Sequence, residues 1–413
     1  MPFLFSYMRS TGQDKSSYLQ ENATDITSGI SAAKISDPIF FNNQLFLLGE
    51  IHGIQKGQDV DFDMVTLLNQ KIKLNTYVAE FDFAKAYFLN QYLKTGDEEL
   101  INAVFQDWVK QDAQWGNQDF QHKIKKIRTY NQNLKPDRRI YFEGIDQIQN
   151  PLLVARYLNT ILKDPTMNKV QTSFSELIDA LNAKNDSLII ALSIHLENDP
   201  VFHNQHIEAS KIAELKYILR NCRSIKSSRE EVLYKNFAAL FEMRNWKNKK
   251  LYGFFGFAHV IQSEGNQGKF KSLAVRLEED PNLHLKGKII SIAMLYVNSK
   301  MMMPTLALPA AWQDKNKRFS SVTQFNHDGP LVKFDGIEAF KAATKPNTLT
   351  LFNLMTKNSP YLHETAHIIY ADMMPQGQRL LLDENGKFIT DYFQYIVLVR
   401  NSEATVPVQA ENE

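Results

Sequence analysis

Short, continuously apolar runs of about strand length recur along this chain, separated by longer stretches with helical spacing. The runs cover residues 45–48, 76–81, 139–144, 251–257, 288–296 and 392–399. They are rich in β-branched and aromatic residues and do not alternate with polar ones, which marks strands buried on both faces. Between them, 63–71, 98–109 and 120–134 repeat apolar positions three and four apart and so predict helices. Strand following helix in this way predicts an α/β fold, with a mainly parallel central β-sheet flanked by helices.

Region 152–246 breaks the rhythm. It holds no convincing strand, and 152–162, 174–181, 207–219 and 229–243 read as helices. We expect a helical insertion there, between two sheet strands. Segment 301–380 contains the turn signal Asn326-His327-Asp328-Gly329-Pro330 among mixed short pieces, so loops and short elements beside the sheet are expected. The expected organisation is a polar arm over 1–37, one domain over 38–400 and a tail over 401–413. No internal repeat is evident.

The chemistry sits where the strands end. The first run leads into Gly49-Glu50-Ile51-His52-Gly53. The second ends at Glu80 and Asp82, the third at Glu143, Gly144 and Asp146, and the fourth at His259. Ligands in open α/β sheets bind outside the carboxyl ends of the strands, so neighbouring strands would bring these groups into one crevice. Glu50 and His52 are two apart on an extended segment, which puts both side chains on one face. A histidine backed by a carboxylate can take a proton from water. Two histidines with two or three carboxylates can also hold a divalent ion that activates water. The spacing does not separate these readings.

Composition narrows the field further. With 413 residues, 44% hydrophobic and 23% charged, the chain has the make-up of an ordinary globular protein. A formal charge of +1 offers no field for nucleic acid, and the cluster Lys123-Lys125-Lys126-Arg128 reads as a solvated face. The lone Cys222 excludes an internal disulfide and a cysteine zinc site. No run approaches the roughly 20 apolar residues of a membrane span. The sequence as written reads as cytoplasmic, with a periplasmic or secreted location open to a chain whose export signal has been removed. There is no Gly-x-Ser-x-Gly elbow and no glycine-rich phosphate loop. His195, His203 and His206 lie in a polar helical region and read as surface residues. The ligand expected is a small molecule, and no partner protein can be inferred.

These segments, taken in order, resemble the erythromycin esterase-like proteins, within a superfamily that includes ChaN-like haem-binding proteins and Tiki/TraB proteases. Leu48-Gly49-Glu50-Ile51-His52-Gly53 looks like the opening motif, Val78-Ala79-Glu80 the second-strand glutamate, and Phe142-Glu143-Gly144-Ile145-Asp146 the Gly-x-Asp turn. Arg229 to Asn236 is similar to the helix preceding the histidine strand, and Gly256-Phe257-Ala258-His259-Val260 to that strand's end. The resemblance implies His52 as general base, Glu50 as its partner, and Glu80, Arg229 and His259 in the same cleft, with Asp146 on the turn beside them. Two departures stand out. One residue rather than two separates Glu50 from His52, as in the ChaN-like proteins, and Gly256 replaces the first histidine of a His-Asn-x-His pair. The resemblance implies a hydrolase of an ester, lactone or amide bond that needs no cofactor. A haem-binding protein without turnover and a metal-dependent Tiki-like hydrolase are the alternatives.

Overall fold

The computed structural model describes residues 14–30, 38–199, 202, 207–382 and 386–410. His203 and His206 therefore lie outside the described residues, as does part of the expected arm. The central sheet has eight strands: β1 Ala23–Asp25, β2 Leu45–Glu50, β3 Thr76–Ala79, β4 Tyr141–Gly144, β5 Leu251–Gly256, β6 Ile289–Val297, β7 Leu349–Asn353 and β8 Tyr395–Arg400. Their spatial order is β1-β7-β8-β6-β2-β5-β3-β4. All neighbours from β8 to β4 are parallel, whereas β1 and β7 add antiparallel strands at one edge.

Burial explains the runs. All nine residues of β6 are buried, but they divide by period two. Ile292, Met294 and Tyr296 join the larger apolar cluster on one face, while Ala293, Leu295 and Val297 join the smaller one on the other. Helices cover both faces, so the polar side chain of Ser291 in this strand is buried and donates to Val260 O at 2.6 Å. Asp82 caps the helix Phe83–Thr95 by accepting from the N–H groups of Ala84 and Lys85. It is a structural cap and does not belong to the crevice.

Five helices lie between β4 and β5: Pro151–Leu162, Asn168–Asn182, Asp186–Glu197, Ala209–Arg223 and Arg229–Met243, with no strand among the described residues of this stretch. Among the described residues, no helix is long and apolar enough to cross a membrane.

Three findings correct the sequence reading. The arm contributes a helix, Lys15–Asn22, and the edge strand β1. Segment 301–380 contributes β7, as well as two small two-stranded antiparallel sheets, Met301–Pro304 with Phe319–Val322 and Val332–Phe334 with Ile368–Tyr370. As the edge strand, β1 needs little apolar surface, and antiparallel pairing supplies the hydrogen bonds of both β1 and β7 from elsewhere in the chain. Lys123 is the third. It is 2% exposed and ion-paired to buried Asp61, which also accepts from the Tyr77 and Tyr252 hydroxyls. Lys125 and Lys126 are half-buried, with their side chains paired to Glu98 and Asp59.

Residues 401–410 are tied down. Thr405 N–H donates to Gly53 O, Gln118 N–H to Val406 O, and Val408 N–H to Gly116 O. These bonds brace the loop after β2, where Gly53 has φ +87° and a Cβ would stand 2.4 Å from Met302 O.

Candidate functional site

The four strands that end in acid or histidine are consecutive neighbours, β2-β5-β3-β4, all parallel. Glu50 closes β2 and pairs in register with Gly256 at the end of β5. Glu80 follows β3, Asp146 stands two residues past β4, and His259 lies in the single helical turn Phe257–Val260 after β5. Arg229 opens the helix Arg229–Met243 and reaches in from the insertion. The structure brings all six sequence-predicted residues together.

Glu80 is the hub. Its Oε1 accepts from Arg229 Nη2 at 2.7 Å and faces His259 Nε2 at 3.3 Å and His52 Nε2 at 3.9 Å. Its Oε2 accepts the Gly256 N–H at 2.6 Å. Burial alone would raise its pKa, but His259, His52 and Arg229 prevail and hold it well below the usual carboxylate range. Arg229 forks onto Asp146 as well, at 2.7 Å from Nη2 and 3.1 Å from Nε.

The two histidines differ in state. His52 Nδ1 lies 2.8 Å from Glu50 Oε1. A carboxylate only accepts, so Nδ1 carries the proton and, in neutral His52, Nε2 keeps its lone pair. That nitrogen faces the cleft. A Cβ on Gly256 would stand 3.3 Å from it, so glycine keeps the approach open. Trp115 packs on the His52 ring at 4.6 Å between centroids. Burial pulls the His52 pKa down, but the bond to Glu50 together with the charges of Glu50 and Glu80 outweighs it and the net direction is up. His259 stands between two carboxylates, with Nδ1 against Glu230 and Nε2 toward Glu80. Burial opposes its charge, yet these partners take its pKa up to about 10, so it is an imidazolium at neutral pH.

Sequence reasoning passed over Glu230, Trp115 and His327. An acid in the first turn of a helix reads as a dipole partner, which hid Glu230. His327 looked like part of a turn. Instead it lies on the cleft wall, buried and neutral, with Nδ1 accepting the Tyr296 N–H at 3.0 Å and its pKa pulled down by burial to about 4. Conversely, Glu143 faces away from the cleft and pairs with Arg244. Cys222 is buried with its thiol pushed up to about 12, which disqualifies it as a nucleophile, and His195 is exposed.

The crevice opens into a cavity of about 370 Å³. Glu50, His52 and His259 form its floor, and Met301, Met303, Phe325, Tyr370, Met374 and Leu380 its apolar wall. A larger hollow of about 610 Å³, between 317–321 and 404–410, is lined by no acid or histidine. Among the described residues, no three His, Cys, Asp or Glu side chains are arranged to hold a metal ion. Glu80 is committed to Arg229 and Gly256, and both nitrogens of His259 face carboxylates, so the donors do not fit one.

Comparison with solved structures gives the same architecture. A Bacillus cereus protein matches at TM-score 0.68 and 15% identity, covering 96% of this chain and 98% of its own. A succinoglycan biosynthesis protein matches at 0.64 and 13%, covering 97% and 100%. The erythromycin esterase EreC, a histidine-to-asparagine mutant in its open conformation, matches at 0.60 and 13%, covering 95% and 99%. The chain has the fold of the erythromycin esterases. No family model matches the sequence, and no curated protein matches it.

Proposed function

We propose that the chain is a hydrolase that uses His52 as a general base to activate water against an ester, lactone or amide bond. The observation that carries this is the polarised His52: Nδ1–H is anchored on Glu50 while Nε2 faces the cavity across Gly256. Water held at Nε2 gives up its proton as its oxygen attacks the carbonyl carbon. The His259 imidazolium turns both N–H groups to Glu80 and Glu230, so it acts on the negative charge building on the carbonyl oxygen through its positive field and not as a hydrogen-bond donor. Arg229 and Asp146 hold Glu80 in place and leave the reacting atoms to the histidines.

The charges also describe the substrate. Glu50, Glu80, Asp146 and Glu230 outnumber Arg229 and His259 when His52 is neutral, and no lysine or arginine lines the cavity. A neutral or cationic substrate with an apolar portion, seated against the methionine-rich wall, suits this field. Esterase activity in a relative of the same fold supports the same class.

Turnover of neutral chromogenic esters and lactones by wild type and His52→Asn tests the reading. Wild type should show an acid limb in kcat/KM with a midpoint above pH 6.5, because the pKa of His52 is raised. The His52→Asn variant should lose roughly 10²–10⁴-fold. In Glu50→Gln the limb should move to lower pH. Absence of turnover across the panel, with saturable haemin binding that disappears in His52→Ala, would overturn hydrolysis in favour of a binding role.

A further inference from the structure

Glu50 presents one oxygen to His52 and turns the other inward. The inward oxygen, Oε2, is buried and has no hydrogen-bond partner among the described residues. Gln58, on the helix Gln55–Ile72, places its Oε1 in the same position, buried and without a donor. Glu50 is 3% exposed and Gln58 6%. Both line one small chamber of about 20 Å³, together with Tyr77, Glu80, Trp115 and Phe254. Two buried acceptors carried by residues that line one void call for a molecule that donates twice.

Of the nearby hydroxyls, that of Tyr296 reaches Met294 Sδ at 3.6 Å and makes no hydrogen bond to Glu50. The Tyr77 and Tyr252 hydroxyls donate to Asp61. Lys123 Nζ also pairs with Asp61 and lies 4.2 Å and 4.7 Å from the ring centroids of Phe120 and Phe254, two residues of the chamber wall. A second cation beside Lys123 would be repelled. A water molecule needs about 10–15 Å³ of such space and two to four polar partners, and the chamber offers both.

We propose that one water molecule occupies this chamber, bridges Glu50 Oε2 and Gln58 Oε1, and keeps Glu50 a carboxylate, making Gln58 a positioning residue for His52. The consequence for basicity rests on the reading of His52 as the base. Burial raises the pKa of Glu50, while His52 and Lys123 lower it and Glu80 adds to the rise. His52 in turn feels Glu50 and Glu80 raising its pKa and Arg229 lowering it. The Tyr77, Tyr252 and Tyr296 hydroxyls, all nearby, stay protonated. A donor on Oε2 favours the charged carboxylate, which strengthens the hold on Nδ1–H and raises the basicity of Nε2.

A crystal structure of the wild-type protein that resolves ordered water should show one peak within hydrogen-bond distance of both oxygens. An empty chamber, or the Gln58 amide nitrogen donating directly to Glu50, overturns the proposal. In Gln58→Leu the water is lost, and NMR titration of the His52 ring should show its pKa falling by about one unit. An unchanged His52 titration in folded Gln58→Leu also overturns it. If that variant fails to fold, the wild-type density decides. Both measurements proceed without substrate. A protein with both signatures but no turnover loses the hydrolase reading alone.

Discussion

His259 couples the pH dependence of folding to the candidate site. It lies 8% exposed between Glu80 and Glu230, and its pKa of about 10 compares with an ordinary 6.5. A group whose pKa is raised by folding contributes stability that is complete below its unfolded value and lost as pH climbs through its folded value. The contribution is therefore full below pH 6.5 and declines between 6.5 and about 10. The slope approaches about 1.4 kcal/mol per pH unit, so the interval of about 3.5 units amounts to an order of 4–5 kcal/mol. Urea unfolding of wild type and His259→Gln at several pH values from 6 to 10.5 measures this directly. Tyrosine and lysine deprotonation acts on both proteins alike, so their difference isolates His259. That difference should shrink by several kcal/mol across the interval. A difference independent of pH would refute a cationic His259, and with it the electrostatic role assigned to it.

Replacing Lys123 by Met strands a buried Asp61 and should lower stability by about 3–5 kcal/mol in urea unfolding, whereas Lys126→Met should change it by less than about 1 kcal/mol. Equal effects would contradict the buried placement of Lys123. Gly256→Ala puts a methyl 3.3 Å from His52 Nε2, and turnover should fall at least about tenfold while the melting temperature moves by only a few degrees. Arg229→Met removes the shared partner of Glu80 and Asp146. The loss should be roughly 2–4 kcal/mol by urea unfolding, less than for a fully buried pair because 36% of the Arg229 side chain is exposed. Unchanged stability would show that Arg229 is not what compensates these acids.

Much of the sheet was legible because its strands are buried on both faces. A strand such as β6 is apolar almost throughout, its buried Ser291 satisfied by donating to Val260 O, and the β-branched and aromatic residues of such a run mark it as a strand. The ends of those strands were legible for the converse reason: Glu50, Glu80, Asp146 and His259 interrupt apolar runs at points where a core has no use for charge. β1 and β7 were not legible. β1 is a three-residue edge strand with no buried position, and β7, buried at four of its five positions, is broken by Thr350 and so does not read as a continuous apolar run.

Periodicity also failed at Lys123. A lysine among lysines on a helix reads as solvated, and only the arrival of Asp61, 62 residues earlier in the chain, makes its burial favourable. Glu230 was hidden in the same way, since its role depends on His259 reaching it from the helical turn after β5.

The sequence by itself determined the parallel strands of the sheet and which polar groups stand at their ends, because burial on both faces constrains residue type position by position. It could not set the order β2-β5-β3-β4, since that order depends on which strands pair across the intervening helices. Tertiary structure alone decided that four carboxylates, an arginine and two histidines share one cleft. It also decided which histidine is held charged and which keeps a free nitrogen. Those states follow from distances between residues far apart in the chain, and electrostatics at 3 Å is not written in local spacing.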